Sequence, residues 1–312
     1  SAKIVYSDAT QGWIPTLDEA VTDAPVAPKQ GICGFGITAA AADTGITNLV
    51  STAGVVATDT AAVGSARDGL AACEYGGDKG IFGFGRFLGG ANQSITNLVS
   101  NTGVVATDTA GVGTVRRLLA ACSYGTDKGI FGFGHPYTGV TNLVSNAGVV
   151  ATDTTGVGTA RANCAGCEYG TDTAIFAYGH DGSSAVSMSN LVSNTGVVAT
   201  DVSGVGTARG YIGACSYGTD KGIFGFGDDG SVQSLTNLVS NTGVVGTDVT
   251  GVGTARMGLA ATQYGTDKGI FAFGNDGSAT GVTNLVSNTG VVATDTAAVA
   301  TAKKETAGCS FG

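Results

Sequence analysis

The chain has 312 residues, of which 53 are glycine, 43% are apolar and only 12% are charged. This composition excludes a disordered polyampholyte and allows one large, turn-rich core. No run approaches the roughly 18 apolar residues of a membrane helix, and a net charge of −9 argues against wrapping nucleic acid, whose phosphates attract clustered Lys and Arg. We therefore expect a soluble protein that neither inserts into membranes nor binds nucleic acid.

Residues 1–30 differ in character from the rest of the chain. They contain three of the four prolines, Pro15, Pro25 and Pro28, and the only tryptophan, Trp13. The segment either packs on the rest of the molecule as an arm or tethers it to something larger, and we favour the tether. An arm of this kind can also link copies of the chain into a homo-oligomer.

From residue 31 the chain repeats itself six times. Hexapeptides related to GIFGFG recur at spacings of 45 to 49 residues, beginning at Gly31, Gly80, Gly129, Ala174, Gly222 and Gly269. Each unit contains four short segments rich in β-branched and aromatic residues, typified by LAACSY, KGIFGFG, TNLVSN and VVATDT. We name them strands A, B, C and D. The Gly, Asn and Asp residues between A and B and between C and D suit tight hairpin turns.

Four antiparallel strands in each period of this length are typical of a propeller blade, and the 3.6-residue periodicity of helices is missing. The sequence therefore predicts an all-β fold, a six-bladed β-propeller of four-stranded antiparallel blades over residues 31–312. The first unit begins with strand B, around Cys33, and the last ends with AGCSFG, residues 307–312, which is a strand A. We expect the C-terminal strand A to pair with the N-terminal strand B and close the ring, which leaves few exposed sheet edges.

The order of an arginine, a small apolar strand, a turn, GIFGFG, DDGS, a strand, a turn and a strand resembles the kelch motif over residues 31–312. This resemblance implies a propeller whose A strands line a central channel. The wording of the repeats is also similar to near-identical repeats in predicted virion proteins of aquatic bacteriophages. That second resemblance implies a virion or extracellular location, with other virion proteins or a host-surface protein or glycan as partners.

The six copies differ mainly in the B–C loops and in the three residues after the arginine that opens strand A. Since strand A begins on the face where strand B ends, both variable segments lie on one face. Loops on a rigid scaffold often carry binding residues, although loops also drift after duplication when nothing constrains them. The large polar and aromatic residues of this face are the candidate ligand-binding residues: Arg86, Phe87, His135, Tyr137, His180 and Tyr211.

A basic residue precedes every A strand. We expect these side chains to ring the channel mouth, where the kelch resemblance implies contact with a ligand, and a cationic ring suits a carboxylate or an acidic peptide. The alternative is that each hydrogen-bonds carbonyl groups between blades. The six are Arg67, Arg116, Arg161, Arg209, Arg256 and Lys303.

Five cysteines share one repeat position that holds Thr262 in the fifth unit. A position that accepts either Cys or Thr is a small buried packing position rather than part of a ligand set. Cys164 and Cys167 have the spacing of a zinc or redox pair, but three residues along a strand point the side chains to opposite faces. We expect free, buried thiols.

The remaining polar residues form no recognisable catalytic set. The two histidines, His135 and His180, lie in different loops with no nucleophile arrangement nearby. A side-chain bond to a nearby backbone amide best explains the aspartate that recurs in TDT or TDV. Calcium bound at these aspartates or at GTDK is the alternative, although the carboxylate density is low. The sequence thus predicts no catalytic residue, metal or cofactor. These aspartates are Asp59, Asp108, Asp153, Asp201, Asp248 and Asp295.

Together these patterns predict a non-enzymatic interaction module, a virion-associated structural or adhesive, receptor-binding propeller that uses the D–A and B–C loops. One alternative is an intracellular, protein-binding kelch-like scaffold. Another is a propeller enzyme acting on sugars, which would require a cluster of Asp, Glu, His or Tyr at the channel mouth.

Overall fold

A computed structural model of the protein describes residues 3–8, 12–16, 28–297 and 299–312. Over these residues the fold is all-β with antiparallel pairing, and no helix is long and apolar enough to cross a membrane. In chain order the strands are β1 (Lys3–Asp8), β2 (Gly12–Thr16), β3 (Gln30–Gly34), β4 (Ile37–Thr38), β5 (Thr47–Val50), β6 (Ala71–Tyr75), β7 (Lys79–Gly83), β8 (Thr96–Val99), β9 (Ala120–Tyr124), β10 (Lys128–Gly132), β11 (Thr141–Val144), β12 (Ala165–Tyr169), β13 (Thr173–Ala177), β14 (Ser189–Val192), β15 (Gly213–Tyr217), β16 (Lys221–Gly225), β17 (Thr236–Val239), β18 (Ala260–Tyr264), β19 (Lys268–Asn275), β20 (Ala279–Val286), β21 (Lys303–Lys304) and β22 (Ala307–Phe311).

The repeats form six antiparallel sheets, each with an inner strand A, a middle strand B and an outer strand C. Sheet 1 is β22-β3-β5, and sheets 2 to 5 are β6-β7-β8, β9-β10-β11, β12-β13-β14 and β15-β16-β17. Sheet 6 is β18-β19-β20, extended by β21 and β4, while β1 and β2 pair separately. The predicted strands A, B and C are confirmed.

Strand D differs from the prediction, because it does not form a continuous strand. In sheet 2 this segment meets strand C through two isolated bridges, Val99 with Val105 and Thr96 with Thr109. Between them the Asn97 side-chain amide donates to the Ala106 carbonyl at 3.0 Å. The Ala106 N–H still donates to the Leu98 carbonyl at 2.8 Å, but the Ala106 carbonyl is taken by a side chain, so the ladder is interrupted. The expected four-stranded blade is therefore a three-stranded sheet with a bridged fourth segment.

The first and last strands of the repeat region pair as predicted. β22 pairs with β3 in antiparallel register, with Ala307 opposite Gly34 and Phe311 opposite Gln30. Each inner strand also packs against the inner strand of the next sheet, and β22 packs against both β18 and β6. The inner strands therefore contact one another in a cyclic order.

The core lies between neighbouring sheets. Six apolar clusters each combine residues of two adjacent sheets, including sheets 6 and 1. Between sheets 2 and 3, for example, the rings of Phe84 and Phe131 meet edge-on with centroids 5.1 Å apart. Each fully buried phenylalanine contributes about 1.5–3 kcal/mol of hydrophobic stabilisation, so these interfaces hold the sheets together.

The chain enters sheet 1 beside the A–B turn of sheet 6, where Lys29 and Gly265 exchange two backbone hydrogen bonds of 2.8 Å. Of the predicted arm over residues 1–30, the structure describes the β1–β2 pairing and residues 28–30. Whether the arm packs on the sheets or tethers them lies outside the described residues.

Candidate functional site

The variable segments meet at one end of the sheets in six equivalent backbone pairs, which we call rim pairs. Each joins the first residue after the opening basic residue to the first residue of a B–C loop, in antiparallel register. The pairs confirm that the D–A and B–C segments share one face, which we call the variable face. The rim pairs are Asp68–Arg86, Arg117–His135, Ala162–His180, Gly210–Asp228, Met257–Asn275 and Lys304–Ile37.

In each repeat, one residue follows the first member of the rim pair along the chain. These six residues form a closed ring of backbone hydrogen bonds around the channel mouth. All six have φ between 53° and 61°, and each N–H donates to the carbonyl of the preceding member at 2.6 to 3.2 Å. Non-glycine residues in this left-handed region cost about 1–2 kcal/mol each. The scaffold thus holds one strained geometry while the side chains differ. The members are Gly69, Leu118, Asn163, Tyr211, Gly258 and Glu305.

A cavity of about 70 Å³ lies at this mouth, lined by the six ring members and the residues that follow them. Asn163 Oδ1 and Thr306 Oγ1 line it as buried atoms with no hydrogen-bond partner among the described residues. Burial, followed by the charge of Asp68, raises the pKa of Glu305 to about 7. Two deeper cavities of about 100 and 60 Å³ are lined by all six inner strands.

The structure brings three of the predicted site residues together. The Tyr137 ring lies 5.3 Å from His135 and 6.2 Å from His180 between ring centroids, and the tyrosine is 42% exposed. Tyr211 lies on the mouth ring, where burial and then Glu305 raise its pKa. Arg86 and Phe87 lie half-buried at the start of the sheet 2 loop.

The basic residues that precede the A strands require a correction, because all six are fully buried instead of ringing the channel mouth. Arg116 is representative: its Nε donates to the Phe133 carbonyl at 2.8 Å and its Nη2 to Asn142 Oδ1 at 2.7 Å. Its guanidinium also covers the Phe84 ring of the preceding sheet, 4.2 Å from the centroid. These side chains bond carbonyl groups, as the alternative interpretation expected, but the carbonyls belong to their own sheet, and the contact with the preceding sheet is made through its aromatic ring. They present no accessible surface to a ligand. The set is Arg67, Arg116, Arg161, Arg209, Arg256 and Lys303.

The recurring aspartates bond to a backbone amide, as expected, but the amide belongs to the preceding repeat. Asp108 accepts from the Ser65 N–H at 3.0 Å and from Asn97 Nδ2 at 2.9 Å. Although burial opposes the shift, these hydrogen bonds lower the pKa of Asp108. Among the residues that the structure describes, no group of three or more His, Cys, Asp or Glu side chains is arranged to hold a metal.

The seven cysteines are free thiols, and all are buried, as the repeat position predicted. The position shared by five of them packs against the middle strand of the next sheet, where the Cys73 sulfur lies beside Gly129. Burial raises the pKa of Cys215 to about 12. These thiols are packing groups and are not ionised at neutral pH.

The opposite end, which we call the turn face, consists of the A–B and C–D turns. Asn146 of a C–D turn donates to Asp127 of an A–B turn at 3.1 Å, so the two kinds of turn lie together. This face is nearly uniform, because each repeat exposes one valine of the C–D turn by 63 to 65%. The six are Val55, Val104, Val149, Val197, Val244 and Val291.

Sequence reasoning missed an ionic cluster in the channel near the turn face. Lys29 Nζ lies 2.6 Å from both carboxylate oxygens of Glu74, which also accepts from Ser310 Oγ at 2.6 Å. Burial and then Glu74 raise the pKa of Glu168, while Lys29 opposes the shift. The available signal was the position before the last residue of each inner strand, which is acidic in two repeats and neutral in the other four: Glu74, Ser123, Glu168, Ser216, Gln263 and Ser310.

No protein-family model matches the chain, and no curated protein matches it significantly.

Proposed function

We propose that the chain is a six-bladed β-propeller that serves as a non-enzymatic interaction module and binds its partner with the variable face. The cyclic contacts of the inner strands, the β22–β3 pairing and the six intersheet cores support the propeller. Each sheet is one blade, with the bridged D segment at its outer edge.

The main support for this binding face is that the rim pairs combine one backbone geometry with different side chains. Six backbone pairs and a closed hydrogen-bonded ring repeat the same geometry, yet the side chains they present include an ion pair, two histidines, a tyrosine and a glutamate. Rigid scaffolds that present varied side chains are typical of binding surfaces. Aromatic and arginine side chains, which dominate binding energy at many interfaces, lie among them.

The end of the molecule at which the chain enters the repeats also supports the variable face as the binding face. Lys29 exchanges two backbone hydrogen bonds with Gly265 of an A–B turn, so the described chain enters the repeats at the turn face, opposite the variable face. Attachment at the turn face would leave the variable face free to meet a partner. A virion-associated, adhesive role remains our prediction, with other virion proteins or a host-surface protein or glycan as the partner.

A triple variant tests the binding face: Phe87, Tyr137 and Tyr211 are each replaced by Ala. We expect an intact fold by circular dichroism, because the three side chains lie outside the intersheet cores, and loss of partner capture from host or particle extract. The matched control replaces Val104, Val149 and Val197 by Ser on the turn face and should keep capture. Loss of capture in the control alone would assign function to the turn face.

The virion location is tested by mass spectrometry of purified particles. We expect the chain among their proteins. Finding it only as a free cytosolic protein would contradict that location while leaving the binding-face assignment standing.

A further inference from the structure

Two neighbouring rim pairs have the same backbone geometry and opposite electrostatics. Side chains directly opposite each other on an antiparallel pair lie on the same side and interact. In Asp68–Arg86 this produces an ion pair, with Arg86 Nη2 3.0 Å from Asp68 Oδ2. In Arg117–His135 the same geometry places a guanidinium beside an imidazole, and neither is an anion that could neutralise the other.

Two side-chain nitrogens of this second pair lack a hydrogen-bond partner among the described residues. Arg117 Nε and His135 Nδ1 are buried and make no hydrogen bond to any described residue, and Arg86 Nε is in the same condition. Leaving a buried polar atom unpaired costs about 1–3 kcal/mol. Burial, then Arg117, then Arg86 lower the pKa of His135, because both guanidinium groups lie near the imidazole. Asp68 engages Arg86 only through Nη2, which leaves Arg86 Nε free to bond elsewhere.

An exposed aromatic face adjoins these nitrogens. Tyr137 is 42% exposed, and its ring is flanked by His135 on one side and His180 on the other. A partly exposed aromatic ring beside basic side chains suits a ligand that has one apolar ring face and one anionic substituent. An acidic peptide, in contrast, spreads its charges along an extended chain.

We propose that Arg86, Arg117 and His135 form a site for the carboxylate of an acidic saccharide whose sugar ring packs on Tyr137. This inference rests on the proposed binding role of the variable face and names the ligand class for it. Arginine guanidinium groups bind carboxylates through charge-assisted hydrogen bonds, and Arg86 and Arg117, which are both half-buried, supply the donors, with His135 donating when its imidazole is protonated. Asp68 holds Arg86 in place from the other side.

The chain offers a direct spectroscopic test, since its only two histidines are His135 and His180. The imidazole resonances are titrated against pH with and without a short oligomer of glucuronic acid. We expect the His135 pKa to rise in the complex, because a bound anion favours the charged imidazolium, and we expect a smaller change at His180. Neutral glucose oligomers of the same length should leave the His135 titration unchanged.

Variants assign the site. Arg117→Ala should weaken binding of the glucuronic acid oligomer about tenfold or more, as loss of a charge-assisted pair predicts. Lys128→Ala, which removes a basic residue of an A–B turn on the turn face, should bind like the wild type. Arg117→Gln keeps side-chain bulk and should also bind weakly, so a folding defect in the alanine variant leaves the test intact.

Three results would overturn the inference: an unchanged His135 pKa at saturating oligomer, equal affinity for the neutral oligomer, or tighter binding of a poly-glutamate peptide or a sulfated glucose oligomer. If glucuronic acid fails while the Phe87, Tyr137 and Tyr211 variant still loses its partner, only the ligand class is wrong. If that variant keeps its partner, the proposed binding face itself is wrong.

Discussion

Five of the six interfaces between sheets are built alike, and the interface between sheets 6 and 1 is not. At each of the five, two aromatic rings meet at 5.1 to 5.4 Å, an arginine covers one of them, and a cysteine packs against the next middle strand. At the sixth, Cys33 faces Phe273 in place of an aromatic ring, Lys303 replaces the arginine, and Thr262 replaces the cysteine. All three differences lie at the interface beside the β22–β3 pairing, which we call the closing interface.

This difference shows how the closing interface is held. The side chains there bury less aromatic surface and make fewer charge-assisted hydrogen bonds than at the other five interfaces. The backbone pairing of β22 with β3 lies in sheet 1 beside this interface and ties the C-terminus to the N-terminal repeat. We infer that the closing interface is the least stable of the six and that strand pairing, more than side-chain packing, keeps the ring closed.

The largest effect is expected from removing that pairing. Deletion of residues 303–312 removes β21, β22 and Lys303, which leaves β3 without its inner partner and opens the ring. We expect loss of most of the cooperativity of unfolding, measured by differential scanning calorimetry and circular dichroism. An unchanged melting transition would show that closure contributes nothing to the cooperative unit.

A single substitution can copy the closing interface into a regular one. Phe131→Cys gives sheet 3 the residue that sheet 1 has at Cys33, and it removes the ring that packs on Phe84. Large-to-small changes of this kind cost about 3–5 kcal/mol. Denaturant unfolding should show a loss of that order, whereas the control Cys33→Ala should lose much less. Equal losses would mean that the interfaces are energetically alike.

The reverse change should strengthen the closing interface. Lys303 donates to Asn48 Oδ1 and to the Ile46 carbonyl from one nitrogen, whereas each arginine at this position distributes its bonds over three. Lys303→Arg restores that arrangement and should raise the free energy of unfolding by about 1 kcal/mol at neutral pH. Arg116→Lys at the regular interface should lower it.

The difference in the free energy of unfolding between the wild-type protein and Lys303→Arg should depend on pH. Burial lowers the pKa of Lys303 from 10.5 to about 8, so between these pH values the unfolded chain holds a proton that the folded chain has released. Stability rises with pH wherever the unfolded state binds more protons. The wild-type protein should therefore gain stability relative to Lys303→Arg between pH 8 and 10.5, and the advantage of the arginine should shrink. Denaturant titrations of both proteins across this window measure the difference, and a constant difference would contradict the shift.

Much of this architecture is predictable from the sequence, because the same pattern of strands and turns occurs in six copies. Strands A, B and C, the end-to-end pairing and the shared face of the variable loops all follow from the spacing of Gly-rich turns and β-branched runs. The buried state of the arginines is not predictable that way, since a residue that recurs unchanged can equally serve a ligand or the scaffold. The Asn97 bridge and the Lys29–Glu74 pair depend on side chains brought together from distant segments.

The closing interface illustrates the same limit. Cys33, Thr262 and Lys303 each stand out in the sequence as single exceptions to a repeat. Only the three-dimensional order of the sheets shows that all three belong to one interface. The rim pairs are likewise visible only in three dimensions. The contrast between Arg117–His135 and Asp68–Arg86 appears only when two segments about 18 residues apart are paired.

The smallest expected effect leaves the fold intact and changes only the order in which buried thiols react. Every cysteine is buried, and burial raises the pKa of Cys33 to about 12, so alkylation requires local opening that exposes the thiol to solvent. If the closing interface opens most readily, Cys33 should be labelled before Cys122, which packs between sheets 3 and 4. Mass spectrometry of partially alkylated native protein measures this order, and Lys303→Arg should slow labelling at Cys33 while leaving Cys122 unchanged. Simultaneous labelling of both thiols would mean that the ring opens only by global unfolding, and the closing interface would then be as stable as its neighbours.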